Sequence, residues 1–172
     1  MTIGVRGLHP PLTANRHMTL GLAAGLIILA ADQASKWWIQ EVLHLRQPGD
    51  QIVLLPVLNF SFVQNRGVTF GLFNNLGDWS SVLLTVVALA VVVALGVWLR
   101  RAESRLVAAA LGCIIGGAVS NVIDRLRFGY VVDFIHAHIG DVSWYVFNLA
   151  DAAIVCGVAA LVLDSLLSRS GR

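Results

Sequence analysis

The chain has 172 residues, of which 57% are hydrophobic and 13% charged, with a mean hydropathy of +0.76. A soluble domain carries roughly 25% charged residues, so a water-surrounded globule is excluded. The formal net charge of +2 comes from arginines gathered in a few short segments. That placement reads as a membrane topology signal and argues against a nucleic-acid partner.

Residues 1–17 contain Gly7, Pro10 and Pro11 without periodicity and are expected to form a loose cytoplasmic tail. Met18–Ala31 is uncharged but reaches spanning length only by running through Asp32 and Lys36 to Ile39. A cleaved leader is the alternative reading of this run. Lys36-Trp37-Trp38-Ile39, however, looks like an interfacial helix end rather than a cleavage region. The first helix is therefore expected over 18–39. The connection 40–78 is too long to be idle in so small a chain. Within it Leu58, Phe60 and Phe62 alternate with Asn59 and Ser61, a strand pattern punctuated by Pro48-Gly49 and Pro56. Trp79–Leu99 gives 21 residues without a formal charge, enough for a hydrocarbon core of about 30 Å.

The third helix is expected over 106–124, with Ala108, Gly112 and Gly116 at the four-residue spacing that lets helices approach closely. In the second outer loop, 125–146, Tyr130–Ile135 and Ser143–Phe147 read as strands flanking Gly140-Asp141. A fourth helix closes the chain over 147–167. The expected architecture is one domain over 18–168, membrane all-α with small β. Four transmembrane helices carry a small sheet built from both outer loops. Arg6, Arg16, Arg100, Arg101, Arg105, Arg169 and Arg172 flank one side of these helices with Glu103 as the only acid. The positive-inside rule then places both termini in the cytoplasm.

Carboxylates within such segments are expensive and need a reason. Two Asn-x-x-Asp units, Asn121–Asp124 and Asn148–Asp151, lie at facing ends of the third and fourth apolar runs. Antiparallel spans return both aspartates to one membrane level, where two carboxyls sharing a site split their titration. One then accepts a proton from water while the other donates to a scissile carbonyl. Asn121 and Asn148 supply amide donors, and Arg125 a cation for a carbonyl or a lipid head group. Each aspartate also has a plainer reading. Asp124 would be a polar helix end paired with Arg125, and Asp151 a first-turn acid behind an Asn148 cap.

Asp32 and Lys36 at i, i+4 are expected to form an ion pair anchoring the first helix. Asn65-Arg66-Gly67 with Phe70 reads as turn chemistry, and Asp133 as a hydrogen-bonding strand residue. His136 and His138 are a weak metal signal, since strand alternation alone produces such a pair. No H-E-x-x-H is present, and Ser120 lacks the nucleophile-elbow context. Cys113 and Cys156 fall inside apolar spans and read as small hydrophobes. A proton-relaying carrier and a membrane assembly subunit are the rival classes. Against the carrier, the carboxylates cluster at one level, and the second helix carries no charge.

The sequence resembles the lipoprotein signal peptidases (signal peptidase II) from about Leu22 to Leu167. The motifs are D-Q-A-S-K (Asp32–Lys36), N-R-G-V-T-F (Asn65–Phe70), G-G-A-V-S-N-V-I-D-R (Gly116–Arg125), V-V-D-F (Val131–Phe134) and F-N-L-A-D (Phe147–Asp151). The resemblance implies a membrane aspartyl protease with four helices and a periplasmic β-cradle, and Asp124 with Asp151 as its catalytic dyad. It implies that Asn65, Asn121, Arg125 and Asn148 line the substrate site, with Asp32, Lys36, Gly67, Phe70 and Asp133 in support. It further implies diacylglyceryl-modified prolipoproteins as substrates, cut just before the lipidated cysteine, and the bacterial inner membrane as location. Peptide antibiotics of the globomycin type are the implied inhibitors. No metal or other cofactor is expected.

Overall fold

The computed structural model describes residues 12–67, 79–140 and 142–170. Phe70 lies outside the described residues. Helix α1 (Leu12–Trp37) continues into a π-helical turn over Trp38–Val42. Strands β1 (Gln51–Leu55) and β2 (Leu58–Asn65) follow, then α2 (Trp79–Leu99), α3 (Arg105–Phe128), β3 (Val131–Ile139), β4 (Val142–Ser143) and α4 (Leu149–Ser170). The described residues contain four helices long and apolar enough to cross a membrane. They carry one antiparallel sheet of order β1-β2-β3-β4. The architecture is that expected of a multi-pass membrane protein with a small β-layer.

Helix bounds differ from the sequence expectation in ways the local chemistry explains. The first helix begins at Leu12 rather than at Met18, because no glycine or proline stands between Pro11 and Met18. His17 ties this early turn to the α2–α3 connection, its Nδ1 lying 3.2 Å from the Ala102 carbonyl oxygen. Ser104 caps α3 by accepting from Val107 N at 3.1 Å. The helix then runs on to Phe128, past the expected end at 124, and stops where Gly129 takes φ +78° and donates to the Arg125 carbonyl. Arg125 is thus a helical residue rather than the first of a loop. Asn148 caps α4, which therefore starts at Leu149 instead of 147.

Helix α3 is central, with 56% of its span buried inside the chain against 11–17% for the others, whose apolar faces are left for lipid. Small residues make this possible. A Cβ added at Gly116 would run into the Gly25 backbone of α1, and one at Gly117 would come within 2.6 Å of the Ala150 carbonyl of α4. Gly116→Val should therefore force α1 away from α3 and lower stability by about 1–3 kcal/mol. Thermal denaturation of the variant in detergent micelles measures this, and an unchanged midpoint would refute the packing argument.

The sheet rests on the end of α1 around a core of Ile39, Leu45, Phe62, Val132 and Phe134. Of the expected apolar strand face, Phe62 is buried. Phe60 is half-buried with its edge against Trp38 and Phe134. The expected strand over Ser143–Phe147 is mostly irregular. Past Trp144, whose N–H still donates to the Ala137 carbonyl at 2.8 Å, the chain leaves the ladder and returns to it at Phe147, which exchanges backbone hydrogen bonds with Ile135. β2 and β3 pair Asn65 with Val131 and Val63 with Asp133, which joins the two outer loops directly above α3.

Candidate active site

Five polar side chains, Asp133, Asp151, Asn65, Asn121 and Asn148, converge where the end of α3, the start of α4 and strands β2 and β3 meet. Asp133 on β3 is buried, 1% exposed. Its Oδ2 accepts from Asn65 Nδ2 at 2.8 Å and its Oδ1 from Asn148 Nδ2 at 2.7 Å. Both donors are neutral amides. Burial, and next the charge of nearby Asp151, push the Asp133 carboxyl up from 3.8 to about 7 against the pull of these donors. Asp151 is in the first turn of α4 and only partly buried. Its Oδ1 accepts from Asn121 Nδ2 at 2.8 Å, and its Oδ2 faces the Asn148 backbone N–H at 3.4 Å.

Asn148 holds the arrangement together. Its Oδ1 caps α4 by accepting from the Asp151 N–H at 2.9 Å, while its Nδ2 reaches Asp133, Asn121 Oδ1 at 3.2 Å and the Val132 carbonyl at 3.4 Å. One residue therefore contacts both Asp133 and Asp151. The capping role read from the sequence and the site role are the same geometry seen from two sides.

Asp124 occupies different surroundings. Gln33 Nε2 donates to its Oδ1 at 2.8 Å, and its Oδ2 receives both the Lys36 ammonium at 2.7 Å and the Val132 N–H at 3.1 Å. Lys36 also holds Asp32 at 2.6 Å and donates to Asn121 Oδ1 at 3.2 Å. The pair expected between Asp124 and Asp151 is not what the fold brings together. Asn121 and Lys36 stand between them, and both Asp124 oxygens are already engaged. The physical reason is register: β3 folds back over α3, so that Asp133 arrives at the level of Asp151 while Asp124 faces α1.

A family model described as signal peptidase (SPase) II matches residues 24–167. The chain is 54% identical over 148 residues, 85% of each chain, to the lipoprotein signal peptidase of Methylorubrum extorquens (strain PA1). It is 46% identical over 154 residues, 88% of each chain, to that of Methylocella silvestris. Against that of Caulobacter vibrioides it is 41% identical over 164 residues, 95% of this chain and 96% of the other.

The chain belongs to the signal peptidase II family.

A solved bacterial membrane enzyme, studied by the in meso method at 2.3 Å resolution, shares the fold with a TM-score of 0.76 at 24% identity. The match covers 90% of this chain and 92% of that one. Membership makes the chain a membrane protease that removes signal peptides from prolipoproteins.

The other residues picked out from the sequence lie at different distances from the site. Asn65, Asn121 and Asn148 lie in the cluster itself. Arg125 flanks it, donating to the Asn121 carbonyl at 3.4 Å with a buried Nε that finds no hydrogen-bond partner among the described residues. Gly67 takes φ +78° and donates its N–H to Asn65 Oδ1 at 2.8 Å, so it orients the amide that reaches Asp133. His136 instead lies between Ser61 and Ser143 on the sheet. The sequence reading gave Gln33 no role and weighed Ser120 only as a nucleophile, yet both belong to the network beside the site. Gln33 Nε2 reaches Ser120 Oγ at 2.9 Å, and Ser120 Oγ donates to Asp32 Oδ2 at 2.7 Å. Their available signal was polarity inside a transmembrane run beside an ion pair, a sign that these helix faces meet protein rather than lipid.

Proposed function

We propose that this chain is an aspartyl endopeptidase in which Asp133 and Asp151 form the catalytic dyad, Asp133 taking the place first given to Asp124. The observation that carries this reading is the shared residue Asn148, hydrogen-bonded to both carboxyls, together with an Asp124 whose oxygens are taken by Lys36, Gln33 and Val132. A dyad holding one proton works as follows. The ionised carboxyl takes a proton from water as its oxygen bonds to the scissile carbonyl carbon. The protonated carboxyl donates to the carbonyl oxygen. Collapse of the intermediate breaks the C–N bond, and the proton gained from water passes to the departing amine. The signal peptide leaves with a new carboxylate, and the cysteine keeps a free amino group. The neutral amides of Asn65, Asn121 and Asn148 orient the carboxyls and the peptide backbone, and the guanidinium of Arg125 beside them offers N–H donors to a substrate carbonyl.

The substrates in this reading are diacylglyceryl-prolipoproteins, cut just before the lipidated cysteine, with globomycin-type peptides occupying the same groove as inhibitors. The arginines at both chain ends and between α2 and α3 support cytoplasmic termini and an outward-facing site in the bacterial inner membrane. The test is cleavage of a lipidated precursor by the purified protein in micelles. Turnover should survive EDTA, thiol reagents and serine-directed inhibitors, since water is the nucleophile. Inhibition by EDTA that zinc reverses would overturn the reading and redirect attention to His136 and His138.

A further inference from the structure

The cluster around Lys36 forms a closed ring that the proposed chemistry does not use. Lys36 ion-pairs with Asp32 at 2.6 Å and Asp124 at 2.7 Å. A neutral arm completes the circuit from Asp32 through Ser120 (2.7 Å) and Gln33 (2.9 Å) to Asp124 (2.8 Å). Lys36, Asp32 and Asp124 are almost wholly buried, at 2%, 0% and 1% exposure. A buried ion cluster is weak evidence for stability, because desolvation offsets most of its attraction. Its outward connections point to another use. The free oxygen of Asp32 accepts from the Ala150 N–H at 2.8 Å, and Asp124 accepts from the Val132 N–H at 3.1 Å. Ala150 immediately precedes Asp151, and Val132 immediately precedes Asp133. Each dyad aspartate thus follows a backbone amide held by one carboxylate of the ring, and one ammonium holds both carboxylates.

We propose that Lys36, through Asp32 and Asp124, is the positioning residue that sets the separation of the Asp133 and Asp151 carboxyls. In this proposal the ring acts on the backbone at Val132 and Ala150 rather than on the reacting atoms. It fixes the starts of β3 and α4 relative to each other, two elements joined only through β4 and an irregular return. A misplacement of about 1 Å between reacting groups costs on the order of 100-fold in rate while leaving the bulk of substrate contacts intact. This inference rests on the Asp133–Asp151 reading, so its test must separate the two.

The test uses the charge-balanced variant Lys36→Met/Asp124→Asn, which removes one positive and one negative charge and keeps an acceptor for the Val132 N–H. Folding is checked by thermal denaturation, and kcat and KM are measured with a lipidated precursor. The expected result is a folded protein with kcat lowered about 100-fold and KM within about threefold of the starting value. An unchanged kcat overturns the proposal and leaves the dyad standing. A KM rising as steeply as kcat falls also overturns it, because that marks general loosening of the site. Asp133→Asn is run in parallel. Near-normal turnover there would bring down the dyad reading, and a double variant as inactive as Asp133→Asn would place a ring member in the chemistry itself. Should the double variant not fold, Ser120→Ala breaks only the neutral arm without a charge change. It should lower kcat by about threefold to tenfold at constant KM, and no change in kcat would overturn the proposal.

Discussion

Asp133→Asn and Asp151→Asn should each lower kcat by about 10⁴-fold while the protein stays inserted and folded. Asn keeps the shape and one acceptor, but it neither takes a proton from water nor gives one to the carbonyl. The double variant should be barely worse than either single one, since a pair acting as a unit loses its function once. Asp124→Asn should retain measurable turnover, which separates this pair from the one suggested by the matching Asn-x-x-Asp units. The pH dependence adds an independent check. A carboxyl raised to about 7 loses its proton as pH climbs through neutrality, so a dyad that needs one shared proton should decline in kcat/KM on the alkaline side of about 7. For stability the sign follows from proton binding. Between 3.8 and about 7 folded Asp133 holds a proton that the unfolded chain has released, so its contribution falls as pH rises through that window. Asp133→Asn removes this loss. Denaturation midpoints of the variant should accordingly vary less across that window. A variant that cleaves the precursor at near-normal rate would exclude Asp133 from the dyad.

The four spans were legible because length and absence of charge decide whether a segment crosses a hydrocarbon core, and Trp79–Leu99 leaves no other reading. Pairing in the sheet was partly legible. Alternation over Leu58–Phe62 showed a strand, but the irregular return from Trp144 to Phe147 depends on tertiary contacts that alternation does not encode. The site was legible as a set and not as pairs. Every carboxylate near the centre carried a signal, whereas the partner of Asp151 depended on how far β3 folds back over α3 after Gly129. Two equal Asn-x-x-Asp units suggested symmetry. The structure uses them differently: Asn148 caps α4 and joins both acids, while Asn121 bridges Lys36 and Asp151. Lys36 illustrates the same limit. Its i, i+4 relation to Asp32 was visible in one helix, and its second carboxylate came from another.

A prolipoprotein without its diacylglyceryl group should be cut with kcat/KM on the order of 100-fold or more below that of the lipidated form. The candidate dyad lies where strand β3 meets the start of α4, in a sheet whose neighbourhood exposes Trp37, Trp38, Trp144 and Tyr145. Exposed tryptophans and tyrosines are at home in the boundary between lipid tails and water. A site at that depth gains most from a substrate held at that depth. Each acyl methylene buried in the bilayer contributes about 0.8 kcal/mol to membrane attachment, so two chains on the cysteine pin the adjacent scissile bond to the level of Asp133 and Asp151. Without the lipid the same peptide slides along the membrane normal, and the entropic cost of finding the reactive register returns to the barrier. The comparison needs purified protein in lipid micelles, both precursor forms at equal concentration, and a gel shift that reports loss of the signal peptide. Equal rates would mean that the signal helix alone sets the register and that the lipid plays no part in positioning the bond.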